Sequence, residues 1–284
     1  MWNILKALGN FYLYSSLHIS LCAALICIES YLILGIEIQW YYALYIGLST
    51  MAVYSAHRLV GMSMVSAFSK QGRYRVIKKY RHHILVYFCL SFILAVFFFF
   101  ELDFRQMVMI VIPAILTTAY VLPLFNSKRL RDFPFIKIFL IAIVWTWLTL
   151  GMISTELFTP LCAILLIERV LFFLAITIPF DIRDVIVDES ISVKTLIHKL
   201  GIKKSKLLAL ALVIICFCLI SYLFFTGLIN QSYFYGLSIC YVYVAVLIYF
   251  SKQGRGDFFF GGLLDGSIGL RLVLYLSMVY LTTN

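Results

Sequence analysis

The sequence predicts an all-α, polytopic membrane bundle of about nine transmembrane helices in a single domain spanning residues 1–284, and three observations predict it: 63% of the residues are hydrophobic, only 13% are charged, and the apolar residues run in long uninterrupted stretches. The mean hydropathy is +1.01, more apolar surface than a water-soluble fold needs. A bilayer core about 30 Å thick takes about 20 residues per helical crossing, so nine crossings would use about 180 residues and leave only short loops. Runs of this length exclude a lipid-facing barrel, whose strands alternate over about ten residues, so the backbone must satisfy itself within helices.

The expected spans fall near residues 8–35, 40–60, 84–100, 106–124, 136–153, 157–180, 207–227, 232–250 and 260–281. The first begins after Lys6, is too long for a signal-peptide core and lacks a small-residue cleavage site, so it reads as a retained helix. Its Glu29 is expected near the outer surface, reaching toward water. The second span opens on the aromatic segment at 41–45 and the third closes on four phenylalanines at 97–100, as interfacial belts do. His82 and His83, just before the third span, are expected at lipid headgroups. Glu168 and Arg169 in the sixth span and Asp265 and Arg271 in the ninth are ionisable groups inside apolar helices, which are costly unless paired or functional. Glu168 and Arg271 lie at similar depths when counted from opposite faces, and a Glu168–Arg271 ion pair is predicted. The glycine-containing stretch at 253–262 has no phosphate-loop pattern and reads as a turn before the ninth span. All seven cysteines fall inside spans, without a metal-binding spacing, and read as packing residues.

The net charge of +10 is explained by topology rather than by nucleic acid. Nineteen of the twenty-three Lys and Arg residues gather at the N-terminus and in the loops at 69–83, 125–137, 181–206 and 251–257, all on one face. The positive-inside rule makes that face cytoplasmic, with the N-terminus on it, and suggests an inner, cytoplasmic membrane.

One stretch departs from this pattern. Asp181, Asp184 and Asp188 follow the sixth span at i, i+3 and i+7, and at about 100° per residue they share one helix face within about 60°. Like charges so stacked need something positive opposite them. Hard oxygen ligands suit Mg²⁺, which keeps several waters and bridges readily to phosphate oxygens. The alternative is a solvated helix end whose acids offset Arg183, Lys194 and Lys199.

The stretch DIRDVIVD at 181–188 resembles the second aspartate-rich motif of the UbiA superfamily of intramembrane prenyltransferases. VKTLIHKLG at 193–201 is similar to a loop of that family, and AYVLPLFNSKRL at 119–130 is similar to its diphosphate-holding stretch. The resemblance implies a UbiA-like bundle that takes a polyprenyl diphosphate and a lipophilic acceptor in contact with membrane lipid, with Mg²⁺ assisting diphosphate departure. It assigns Asp181, Asp184 and Asp188 as catalytic metal ligands, and Tyr120, Lys128 and Arg129 as diphosphate-binding groups.

The family's first aspartate-rich motif is missing: the corresponding stretch, VYSAHRLVG at 53–61, carries no acid. Two readings follow. Either His57 and Arg58 act directly on the diphosphate and take over part of the metal's work, or Arg58 pairs with Asp181 or Asp184 and leaves a non-catalytic relative that binds an isoprenoid lipid or a membrane partner.

Overall fold

The computed structural model describes residues 9, 11–64, 77–124, 129–190 and 193–283. Among the described residues every regular element is helical: α1 (Leu17–Leu34), α2 (Trp40–Met64), α3 (Arg81–Phe99), α4 (Phe104–Met109), α5 (Val111–Val121), α6 (Ile136–Thr146), α7 (Pro160–Ser190), α8 (Leu196–Phe225), α9 (Gln231–Phe250) and α10 (Asp265–Thr283). A π turn at Trp147–Gly151 prolongs α6, and another at Phe258–Leu264 leads into α10.

Among the described residues seven helical segments are long and apolar enough to cross a membrane, and the chain is an integral membrane protein. The expected count was nine. The two segments that fall short are α2, whose apolar run is diluted by Ser49, Thr50, Ser55, His57 and Arg58, and α6 with its π turn, Ile136–Gly151, which is short.

α7 packs along α6 and α8, α2 lies between α1 and α3, and α10 runs against α1 and α9. Half of the apolar window of α7 is buried inside the molecule against 17% of that of α3, so α7 is the central helix and α3 a peripheral, lipid-facing one. α7 runs ten residues past the expected span and α8 starts eleven before it. A hydropathy reading stops at the first charge, whereas helical hydrogen bonds continue beyond the apolar layer. Gly201, at φ 76°, interrupts α8 with a conformation that favours glycine. Between α4 and α5, Pro113 cannot donate to the carbonyl of Met109 four residues back, and the indole N–H of Trp147 donates to it instead, at 3.4 Å.

The predicted Glu168–Arg271 pair is present and fully buried: Arg271 donates to both carboxylate oxygens at 2.8 and 3.0 Å. Glu29, expected near the surface, is instead wholly buried. Its carboxylate accepts from Arg271 at 3.1 Å, from Arg169 at 3.1 Å and from Tyr233 at 2.7 Å. A carboxylate within reach of two guanidiniums is better satisfied there than at the headgroups. Five of the cysteines are buried as expected, while Cys89 and Cys218 lie on the exposed surface. His82 and His83 are exposed at the start of α3.

Candidate functional site

The ends of α2, α5, α6 and α7 and the approach to α10 surround a cavity of about 340 Å³. Its walls are apolar where they run into the bundle (Val53, Leu116, Ile141, Val144, Trp145, Phe173, Ile176), and its mouth is polar. Of the residues singled out from sequence, His57, Arg58, Tyr120, Arg129, Asp184 and Asp188 line this cavity. Lys128 lies outside the described residues.

At the mouth, a terminal nitrogen of Arg131 donates to His57 Nε2 at 2.7 Å, and its guanidinium lies 5.3 Å from the centre of the Tyr120 ring. An arginine only donates, so His57 Nε2 is the accepting nitrogen. Arg129 is committed elsewhere: it grips both oxygens of Asp132, at 3.0 and 2.9 Å, and its own N–H also donates to that carboxylate at 2.9 Å. Partial burial pushes the Asp132 carboxyl up, but these bonds outweigh it and hold the group below the usual carboxylate range.

Arg58 does not pair with Asp181 or Asp184. Its guanidinium donates to the main-chain carbonyls of Tyr14 and, at 3.0 Å, of Leu13. The row of acids is answered by other cations. Lys137, one residue into α6, sets its ammonium 2.8 Å from Asp181 Oδ1 and 3.5 Å from Asp188 Oδ2, all three side chains buried. Arg183 makes a two-pronged contact with Asp184 at 2.8 and 3.0 Å and lies 3.7 Å from Asp257, which accepts from Tyr14 at 2.5 Å. The Arg183 guanidinium also rests on Phe180 and Phe260. Burial, with the charges of Asp184 and Asp181 adding to it, pushes Asp188 above the ordinary carboxylate range despite Lys137.

This arrangement does not fit the magnesium site that the resemblance implies. The point on which Asp181 and Asp188 converge is taken by the Lys137 ammonium, and Asp184 is held apart from them by Arg183. Among the described residues no three His, Cys, Asp or Glu side chains are grouped to hold a metal ion.

Sequence reasoning missed Lys137, Arg131 and Asp257, because it counted the two basic residues only as loop charge. A lysine one position inside an apolar run, as in KIFLIAIVW, was the available signal for Lys137. Asp265, singled out as a buried ionisable group, lines the cavity.

No protein-family model matches the chain, and no curated protein matches it. Three solved structures share its fold. A UbiA homologue from Archaeoglobus fulgidus, bound to GPP and Mg²⁺, aligns with a TM-score of 0.63 at 11% identity over 95% of this chain and 99% of its own. The apo form of a UbiA homologue from Aeropyrum pernix K1 aligns at 0.59 with 12% identity over 96% and 98%. A digeranylgeranylglyceryl phosphate synthase aligns at 0.57 with 16% identity over 97% and 96%. The chain therefore has the fold of the UbiA prenyltransferases from end to end.

Proposed function

We propose that this chain, built on the UbiA fold, is an intramembrane prenyltransferase that takes a polyprenyl diphosphate and passes the prenyl group to a lipophilic acceptor. The observation that carries the reading is the division of one cavity into an apolar interior and a polar mouth that includes Arg58 and Arg131. A prenyl chain suits the walls around Trp145 and Phe173, and a diphosphate suits Arg131, which is held against the Tyr120 ring and His57.

In the reaction the allylic C–O bond breaks and its electron pair leaves with the diphosphate. Arg131 and Arg58 stabilise that developing charge, and the apolar walls keep water from the allylic cation. The acceptor's nucleophilic atom bonds to the same carbon and gives up its proton to Asp265, a carboxylate lining the same cavity. Asp181, Asp184 and Asp188 shape the mouth through Lys137 and Arg183 rather than meeting substrate directly.

The test is diphosphate release and prenyl transfer by the purified protein, with a panel of polyprenyl diphosphates and lipid-extract acceptors. Arg131→Gln should cut donor affinity about tenfold or more, equivalent to about 1.4 kcal/mol. Asp265→Asn should leave donor binding intact and slow transfer by about 10²-fold or more. Donor binding with no turnover at all would favour the second reading, a non-catalytic isoprenoid-binding relative. The neutralisation of the acid row by Lys137 and Arg183 favours that alternative, and absence of donor binding removes both.

A further inference from the structure

We propose that Lys137 stands where a divalent cation would sit against the acid row, so that this chain engages a prenyl diphosphate without magnesium. The inference rests on the prenyl-diphosphate reading for its ligand, but its claim about the metal is independent of turnover.

Lys137 bridges the two ends of the row, contacting Asp181 at 2.8 Å and Asp188 at 3.5 Å. Arg183 takes the middle acid, Asp184, with two hydrogen bonds. Each carboxylate a metal would need is thus bound by a cation that the chain carries itself. An ammonium held between two buried carboxylates is not readily displaced, because its removal would leave it or them uncompensated away from water.

The position of Lys137 is built in. Phe135, two residues earlier, adopts a left-handed conformation (φ 64°) rare for a non-glycine residue, and its N–H is bonded to the carbonyl of Lys194 at 3.2 Å. That turn starts α6 with Lys137 aimed at α7. On the Asp181 side, away from the main cavity, Phe133, Phe135 and Val193 close around the Lys137–Asp181 contact and leave a space of about 10 Å³. One water is the most that side could take, and magnesium arrives with several, so a hydrated ion does not reach Asp181 from there.

The second span agrees with this account. The stretch that would supply acids for a first metal carries Val53, Tyr54, His57 and Gly61 instead. Positive charge for the diphosphate then comes from Arg131 and Arg58, which line the cavity beside Asp184 and Asp188.

Two measurements on the full chain in detergent test this. The first is Mn²⁺ binding followed by electron paramagnetic resonance, and the second is equilibrium binding of geranyl diphosphate in Mg²⁺ or in EDTA. Wild type should take up no stoichiometric Mn²⁺ and should bind geranyl diphosphate within about twofold in the two buffers. Lys137→Met, which keeps the length of the side chain without its charge, should gain Mn²⁺ binding and show affinity about tenfold weaker in EDTA than in Mg²⁺. Stoichiometric Mn²⁺ on wild type that disappears in Asp181→Asn would overturn the proposal, as would a tenfold loss of wild-type affinity in EDTA or a folded Lys137→Met protein that gains no Mn²⁺. The wild-type arms decide the matter even where the variant does not fold. Failure to bind geranyl diphosphate in either buffer would sink the functional reading, while the Mn²⁺ arm would still judge the lysine.

Discussion

Deep between α1, α7 and α10, Glu29, Glu168, Arg169 and Arg271 are fully buried and bonded to one another, with Tyr233 and Tyr241 completing the two carboxylates. At the cavity mouth, Lys137, Arg183, Arg131 and Asp188 are also paired, but Arg131 and Arg183 use aromatic faces as part of their support and all four line the open space. Both groups give the same sequence signal, charge in or beside an apolar helix. The inner group turns nearly all its bonding capacity inward and holds three helices together, whereas the mouth keeps charge beside a cavity where a ligand can meet it. An intramembrane ion pair marks a binding site only when some of its surface faces a cavity.

The sharpest way to break that distinction is Arg271→Met, which leaves Glu168 with the Tyr241 hydroxyl and the more distant charge of Arg169. The variant should lose about 3–5 kcal/mol of stability, read as a large drop in thermal unfolding temperature in detergent. Adding Glu168→Gln should restore much of the loss, since Glu29 keeps Arg169. A single variant as stable as wild type would show that the inner quartet is not a staple.

A smaller effect separates the two acids held by Lys137. Asp181→Asn removes the 2.8 Å partner of a buried ammonium and should cost about 2–3 kcal/mol. Asp188 behaves otherwise because its carboxyl is raised in the folded state. A raised acid disfavours the folded state once ionised, so stability intact below the unfolded value of about 3.9 declines as pH rises through the folded value. Asp188→Asn removes that decline and should stay within about 1 kcal/mol of wild type at neutral pH. Equal losses for the two variants in urea titrations would mean that Lys137 grips them alike.

The smallest effect belongs to Arg129 and Asp132, an i, i+3 pair in the turn that precedes α6. Asp132 is depressed in the folded state, so its contribution is present above about pH 3.9 and is lost as pH falls through the lower folded value. Arg129→Gln should flatten the acid limb of the stability profile and cost about 1 kcal/mol, because the main-chain N–H of residue 129 still serves the carboxylate.

Much of the site was readable from particular residues. The shared face of Asp181, Asp184 and Asp188 followed from helical periodicity, and the Glu168–Arg271 contact followed from matching depths. Their partners were not readable in the same way. Lys137 is 44 residues from Asp181 and Arg131 is 74 from His57, and no local rule ties positions so far apart. Arg58 shows the converse: one of the two readings of the missing first motif gave it Asp181 or Asp184 as partner, and the fold delivers main-chain carbonyls instead.

The sequence by itself determined that this chain lives in a membrane, that it is helical, and where its acidic row lies, because hydropathy and periodicity are sums over neighbouring residues. Only the tertiary structure decided which cation meets which acid. That choice depends on which helices touch and at what depth, and in an apolar interior a buried charge must settle on whatever counter-charge the packing brings within about 3 Å.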